Sequence, residues 1–461
     1  MQLYGYGSLY LAVFLDSYGA FMVLPLLPFL ALSLNASPFE VGLMQASYCF
    51  TQTVGTVILG SLSDRIGRRR VMVVTLFFCS ASLLAFGLSS CMWQLIIFRS
   101  LHGFFASTVS VCEAILADGV EPQERAGAMA TVMAAFGLGL VLGPSTGGLL
   151  VPLGFQTVCF VASGLTFANT LWALWQLPSA KGGVAAAAAP GAAPAGEPGA
   201  EGGALGSLGQ AASLARSSPD LVLLYAMTFA QTMAFGAFMG LCPLFLHDVY
   251  GIGGARMGLM FACSGAVMVL CQSTLTGFAA KRLGESRSIL VGSTFRVAMM
   301  LAFATVVHPA VPWVSFIGMV ASMSLIDPCM ASMVATIASD ENRGAVLGVY
   351  QALRSLGECA GPLWAGAWYE ASHEGPFLGS AGATLLGGCL VCVLQSHRGT
   401  KAGAADDLDQ ALLAGLDGRE PSMDFADAFA LPFAAQPSLL SRSSSSLDGS
   451  PSRLGGSPKR V

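Results

Sequence analysis

Long apolar runs dominate this chain of 461 residues and decide what it can fold into. Hydrophobic residues make up 54% of the sequence and charged residues only 10%, whereas charged residues approach a quarter of a water-soluble domain. A helix needs about 20 mostly apolar residues to cross a bilayer. The runs lack the alternation of membrane strands, so they predict an all-α membrane protein. Windows of this length predict twelve transmembrane helices, at 8–31, 40–60, 71–89, 92–116, 128–151, 155–176, 219–246, 255–279, 287–307, 311–336, 344–369 and 376–396.

The basic residues predict how the chain is oriented. Of the 22 Lys and Arg, Arg99, Arg296 and Arg354 fall inside predicted helices and Arg256 lies beside an outer loop. All the others lie on one side if both termini are cytoplasmic, as the positive-inside rule requires. We therefore expect a multi-pass integral membrane protein with cytoplasmic termini. The plasma membrane and a vacuolar or lysosomal endomembrane both remain open.

Two separate motifs occur twice, at nearly the same spacing. Gly60, Arg65, Gly67 and Arg70 recur 217 positions later as Gly277, Arg282, Gly284 and Arg287. The second motif recurs 218 positions later, because Arg125, Gly139, Gly143, Pro144 and Gly148 match Arg343, Gly357, Gly361, Pro362 and Gly366. A shared offset indicates a duplication of six helices plus six. Parallel repeats of this kind place a substrate site between the halves, near the middle of the membrane.

Composition divides the chain into four parts. Residues 1–181 and 218–397 are predicted to form the two six-helix bundles. Residues 182–217 are mostly Ala, Gly, Pro and Ser, and residues 398–461 are acidic and then rich in Ser. These two segments have too few bulky apolar groups to offset the entropy of ordering. We expect them to be a disordered cytoplasmic linker and a disordered cytoplasmic tail.

A cationic loop at residues 60–70 has two interpretations. Its glycines allow a tight turn, and its arginines suit an anionic membrane surface. Asp64 can accept hydrogen bonds from arginine and from helix N-termini of the other half, which would latch one conformation. Anchoring of the topology alone is the alternative. The predicted gating loop consists of Gly60, Asp64, Arg65, Gly67, Arg68 and Arg69, joined by Asp118 and Arg125 of the next cytoplasmic loop.

The fifth predicted helix is rich in glycine around one proline. The glycines expose backbone for the close approach of a neighbouring helix, and proline removes a hydrogen bond and bends the helix. A bend here would shape how the halves move, although packing alone explains the pattern equally well. This motif consists of Gly139, Gly143, Pro144, Gly147 and Gly148.

These motifs make the chain resemble the major facilitator superfamily, and most closely its twelve-helix drug:proton antiporter branch, over nearly all of 8–397. The loop pattern G-x-L-x-D-R-x-G-R-[RK]-x is met at 60–70, and R-x-x-x-G is met at Arg99 and Gly103. The pattern G-x-x-x-G-P-x-x-G-G is met in the fifth helix, and Leu15-Asp16 is followed by Pro25 in the first. The resemblance implies two pseudo-symmetric bundles, a monomer, and a cavity lined by helices one, four, seven and ten.

Beyond the first two positions of each predicted helix, seven acidic or basic residues lie inside the helices, where an ionisable group is costly and normally faces a cavity or a partner. They are Asp16, Arg99, Glu113, Arg296, Asp327, Arg354 and Glu358. We expect the cavity for protons and substrate to be lined by residues of helices one, four, seven and ten. The expected lining residues are Asp16, Arg99, Glu113, Asp327 and Gln231.

A proton site is one interpretation of these charges. Burial favours a neutral carboxyl, and a nearby arginine favours a charged one. Asp16 and Asp327 are therefore candidate proton or cation sites modulated by Arg99, and a static salt-bridge cluster is the alternative. Arg354 and Glu358, four residues apart on one helix, are expected to pair.

The sequence therefore favours a secondary active transporter that moves a small organic solute by alternating access, with proton antiport preferred. A facilitator or proton symporter of the same fold is one alternative, and a transporter-like receptor or scaffold that moves nothing is another. We find no catalytic triad and no metal-ligand or nucleotide-binding motif in a suitable context. We therefore expect no enzyme, no cofactor, no metal and no nucleic-acid partner. The expected partners are a small-molecule substrate, protons and the lipid bilayer.

Overall fold

The computed structural model describes residues 6–121, 124–176, 218–337 and 343–416, which form helices and contain no strand. The predicted linker at 182–217 and the tail beyond 416 lie outside these residues. The helices are α1 (Gly7–Ser33), α2 (Pro38–Ile66), α3 (Arg68–Leu88), α4 (Met92–Gly119), α5 (Arg125–Leu150), α6 (Phe155–Gln176), α7 (Pro219–Tyr250), α8 (Gly254–Leu283), α9 (Glu285–Thr305), α10 (Val311–Ile337), α11 (Arg343–Tyr369) and α12 (Gly375–Leu416).

Ten of the described helices are long and apolar enough to cross a membrane. The two others, α2 and α11, are 29 and 27 residues long but more polar. They pack against each other, and their polar residues Gln45, Gln52 and Glu358 line a cavity instead of facing lipid. Their lower hydropathy therefore reflects their place inside the helical assembly.

Three helices that the sequence predicts as continuous are interrupted. A 3₁₀ turn at Leu24–Leu26 interrupts α1, where Pro25 and Pro28 remove backbone donors. A π-helical turn at Cys271–Leu275 interrupts α8. In α4 the helix stops at Phe105 and restarts at Thr108, and just after the break the Ser110 hydroxyl donates to the Ser107 carbonyl at 2.9 Å. Arg99 and Glu113 therefore lie in separate segments of α4.

The last helix is longer than predicted. It continues past residue 397 to Leu416, into the segment that the sequence predicts to be a disordered tail. This extension contains several Ala and Leu residues and Gln410, which are good helix formers. The described residues up to His397 form one compact unit, and a second unit begins at Arg398.

The packing follows the predicted duplication. In the first half α1 packs on α5 and α6, and α2 packs on α4; in the second half α7 packs on α11, and α8 packs on α10. The halves meet through α2 against α11 and through α5 against α8. Under the repeat offset α2 corresponds to α8 and α5 corresponds to α11. The two interfaces are therefore the same contact made once by each half.

Glycines of the repeated motif bring helices together within each half. A Cβ atom at Gly139, Gly143 or Gly147 would clash with α1. Their counterparts Gly357 and Gly361 lie equally close to α7. The close approach expected from the fifth-helix motif is thus present, and α1 is its neighbour.

Glycine contacts also join the two halves at one end of the helices. A Cβ at Gly42 would overlap the carbonyl oxygen of Pro362, and one at Gly258 would overlap the carbonyl oxygen of Pro144. Gly148, the remaining glycine of the motif, packs against Gly258. All these residues lie toward the side that the charge distribution predicts to be outside. The halves are therefore closed against each other on that side.

Candidate functional site

A cavity of about 460 Å³ lies inside the first half, a volume in the range of small-molecule sites. It is enclosed by α1 to α5, and its lining is Asp16, Ser17, Ala20, Phe21, Leu24, Gln45, Tyr48, Gln52, Cys79, Arg99, His102, Ala106, Thr108, Val109, Met133 and Phe136. A second cavity, of about 270 Å³, shares Leu24, Gln45, Tyr48 and Gln52 with the first. Residues of α7, α8 and α11, including Glu358, form its far wall. Together the two cavities reach from the first half to the contact between the halves.

Arg99 lies at the wall of the first cavity and is only 3% exposed. Its guanidinium lies over the ring of Tyr48, with 3.8 Å from Cζ to the ring centroid. Nη2 donates to Gln45 Oε1 and Nη1 donates to His102 Nδ1, both at 3.4 Å. Because arginine has no acceptor, His102 accepts through Nδ1 and carries its ring proton on Nε2. Arg99 Nε has no hydrogen-bond partner.

Asp16 lines the same cavity as Arg99, but the two differ in their neighbours. The Thr108 hydroxyl approaches the Asp16 carboxyl without completing a hydrogen bond of standard geometry. Thr108 begins the second segment of α4, so the interruption of α4 brings a helix N-terminus to this part of the cavity. The side chain of Gln52 donates to the freed carbonyl of Ala106 at 3.4 Å. The described hydrogen bonds of Arg99 go to α2 and to His102, not to Asp16.

The second half buries another arginine, Arg296, among polar side chains. Its Nε donates to Ser322 at 3.0 Å, and its Nη1 donates to the side-chain oxygen of Gln231 at 3.3 Å. The amide nitrogen of Gln231 donates to Ser293 at 2.7 Å. Gln231 is 1% exposed and lies away from both cavities, so its predicted place in the cavity lining is not found. Its amide instead holds α7 to α9.

Ion pairs connect the remaining charges of the second half. Arg354 contacts Glu358 at 3.2 Å, the pair expected from their spacing on α11, and also contacts Asp327 of α10 at 3.1 Å. Glu358 lines the second cavity. Asp327 lines neither cavity and is held by Arg354. Glu113 is half-buried in the second segment of α4 and does not belong to the lining.

The predicted gating loop is organised by Arg68. This side chain contacts Asp64 at 2.7 Å and Asp118 at 3.1 Å. All three residues belong to the first half, whereas a latch between the halves was expected from Asp64. The loop turns at Gly67, whose φ of 101° suits glycine, and Gly284 at the repeated position has a φ of 77°.

The other members of the predicted gating loop lie around this cluster. Gly60 has open space around it, and Arg65 is exposed in the last turn of α2. Arg69 donates to the Leu174 carbonyl of α6, and Arg125 donates to the Val120 carbonyl at 3.1 Å. These contacts also stay within the first half.

The sequence profile of the Major Facilitator Superfamily matches residues 9–362 and 273–431. This protein belongs to the Major Facilitator Superfamily. It is 28% identical to tetracycline resistance protein, class C, of Escherichia coli over 369 residues, which cover 78% of this chain and 88% of that protein. It is 23% identical to multidrug resistance protein 2 of Bacillus subtilis (strain 168) over 398 residues, which cover 85% and 95% of the two chains.

A solved structure agrees with the superfamily assignment. The nucleoside transporter NupG aligns with a TM-score of 0.67 at 13% identity, over 84% of this chain and 98% of that one, which supports the fold alone. The drug-resistance relatives confirm the resemblance predicted from the motifs. The fold and the relatives together support secondary transport as the role of this multi-pass membrane protein.

Three polar residues that line the cavities were not predicted from the sequence. They are Gln45, Tyr48 and Gln52. They line both cavities, and each of them contacts Arg99 or the interrupted part of α4. Their spacing of three and four residues places them on one face of α2. Uncharged polar side chains at helical spacing within an apolar run are the sequence signal that identifies them.

Proposed function

We propose that this protein moves a small organic solute across the membrane by alternating access, driven by a proton gradient in antiport. One observation carries this proposal: a cavity of drug-ligand size contains an acidic side chain, Asp16, and reaches the contact between two halves that are closed at one end. If the halves rocked apart at the closed end and together at the other, the cavity would open to the opposite side. Drug-resistance relatives support the antiport direction.

The proposal includes a topology. We propose that α2 and α11 also cross the bilayer, which gives twelve spans, and that both termini are cytoplasmic. The closed end of the helices then faces outward, and the described conformation is open toward the cytoplasm. The ion pairs of Arg68 with Asp64 and Asp118 stay within the first half. They therefore do not join the two halves at the cytoplasmic end, which suits an inward-open conformation. A monomer suffices, because one chain supplies both halves of the cavity.

Proton symport is the second candidate, and Arg99 is the observation that favours it. In antiport the solute and the proton occupy the cavity in turn. A cationic solute near Asp16 would displace the proton from that carboxyl, so it suits antiport. An anion bound near Arg99 would instead be repelled by ionised Asp16 and accepted more readily when Asp16 is protonated. The charge of the solute therefore decides which direction of coupling the cavity supports.

Flux into reconstituted vesicles tests the function and its direction. The probes are tetracycline and two permanently charged naphthalene compounds, naphthalene-2-sulfonate and 2-naphthyltrimethylammonium. Uphill accumulation of a probe with an acidic vesicle interior indicates antiport, and accumulation with an acidic exterior indicates symport. Equilibration without a pH effect indicates a facilitator. Protein-free vesicles and collapse of the gradient with nigericin are the controls. Absence of flux for every probe under both gradients would contradict the proposal and favour a scaffold.

A further inference from the structure

We infer that the cavity of the first half recognises an acidic group, and that Arg99 binds the carboxylate, sulfonate or phosphate of an amphiphilic organic anion. The apolar body of that anion would lie against Phe21 and Phe136. The inference rests on the proposed transport function, and an anionic solute would favour proton symport, the second candidate, over antiport. Binding of an anion can nevertheless be measured without any transport.

Among the described residues, no carboxylate lies at contact distance from the Arg99 guanidinium. Its hydrogen bonds go to a neutral amide, Gln45, and to a neutral ring, His102, and both are long at 3.4 Å. A guanidinium has five N–H donors, and Nε is unused although the residue is 3% exposed. A cation buried with uncharged partners is costly, and an anion in the cavity would offset that cost. Arginine also matches two oxygens of a carboxylate or sulfonate at once.

Arg296 shows that burial of an arginine does not by itself make a site. It is as buried as Arg99, but it donates to Ser322 at 3.0 Å and lines neither cavity. Among the described residues that line the two cavities, Arg99 is the one with a permanent positive charge. Of the two acids in that lining, Glu358 is already paired with Arg354 at 3.2 Å. A soluble anion in the first cavity therefore has one cation to bind.

The rest of the first cavity suits an apolar body. Phe21 and Phe136 meet edge to face with their centroids 5.3 Å apart, and Leu24, Val109 and Met133 extend this apolar wall. The volumes of about 460 and 270 Å³ leave room for a ring system beside the guanidinium. The occupant would thus be an organic acid with an aromatic or aliphatic part, rather than a small inorganic anion.

Binding to the purified full chain in phosphatidylcholine nanodiscs tests this inference. Naphthalene-2-sulfonate should bind at least ~10-fold more tightly than 2-naphthyltrimethylammonium of the same ring system, as measured by isothermal titration calorimetry. Arg99→Gln should weaken sulfonate binding ~10- to 100-fold and leave binding of the ammonium compound unchanged or improved. Chloride and sulfate should compete poorly, because neither has an apolar body.

Arg99→Lys and Arg296→Lys are the matched variants. Both keep the charge, so Arg99→Lys replaces Arg99→Gln if the latter does not fold. Arg99→Lys should still weaken sulfonate binding because lysine cannot match two oxygens, whereas Arg296→Lys should leave it unchanged. Equal binding of the anion and the cation, or sulfonate binding that is unaffected by either Arg99 variant, would overturn the inference. If the ammonium compound binds preferentially and is moved in exchange for protons, the transport proposal stands and only this inference fails.

Discussion

At the scale of single residues, the two acids proposed as proton sites have different surroundings. Asp327 is held by Arg354 in an ion pair at 3.1 Å. Asp16 lines a cavity beside the Thr108 hydroxyl. A carboxyl on a cavity wall changes its exposure when the cavity opens, so its charge can follow the conformation. Asp16 is therefore the better candidate for coupling.

Asp16→Asn should abolish gradient-driven accumulation and preserve exchange of labelled for unlabelled solute. The amide keeps the size and hydrogen-bonding ability of the side chain but cannot take up a proton. Both activities would be measured in the same reconstituted vesicles. Glu113→Gln is the control, because Glu113 lies outside the cavity lining and should remain coupled. Normal accumulation by Asp16→Asn would remove this residue from the mechanism.

At the scale of elements, the glycines of α5 act as contact surfaces for two different helices. Gly139, Gly143 and Gly147 face α1, and Gly148 faces α8 of the other half. One helix thus joins the interior of the first half to the interface between the halves. Movement at the interface must act on the cavity through such elements, because α1 and α5 both contribute to its wall.

Gly147→Val should destabilise the protein by about 1–3 kcal/mol, because the added side chain would press on the Met22 carbonyl of α1. The control is Gly164→Val in α6, where no atom lies within 4 Å of the added Cβ. The control should match or exceed wild-type stability, since glycine is unfavourable inside a helix. Thermal unfolding in one detergent would be compared for all three proteins. Equal midpoints for the two variants would refute the packing argument.

At the scale of the whole molecule, alternating access requires α2 and α11 to separate at their closed end. These helices carry Cys49 and Cys359, whose thiols lie beside each other where the two helices meet. A bond between the two sulfurs would join the halves in the described conformation. Two thiols and one hydrogen peroxide give one disulfide and two water molecules, so peroxide supplies the oxidation.

Peroxide should therefore cross-link the two halves and stop flux, and dithiothreitol should restore it. A protease site placed in 182–217 would let the two halves separate on a reducing gel and remain joined on a non-reducing gel. Cys49→Ser and Cys359→Ser should each prevent the cross-link and keep flux resistant to peroxide. Continued full flux in cross-linked wild-type protein would rule out a cycle in which these helices separate.

Local features of the site were predictable, and contacts between distant helices were not. Arg354 and Glu358 are four residues apart, so helical geometry alone predicts their contact. Asp64 and Arg68 pair for the same reason. In contrast, Arg99 contacts Gln45, 54 positions away, and Arg296 contacts Gln231, 65 positions away. Such partners depend on how the helices pack, which the spacing of residues along one helix does not encode.

The sequence by itself determined the membrane environment, the helical class and the duplication. These follow from the cost of placing polar backbone in lipid and from motifs repeated at offsets of 217 and 218. Only the tertiary structure decided that Gly42 and Gly258 close one end, that α4 is interrupted beside Asp16, and that Arg99 lacks an acidic partner. The physical reason is that closure and charge compensation depend on distances between separate helices, and those distances exist only after the helices have packed.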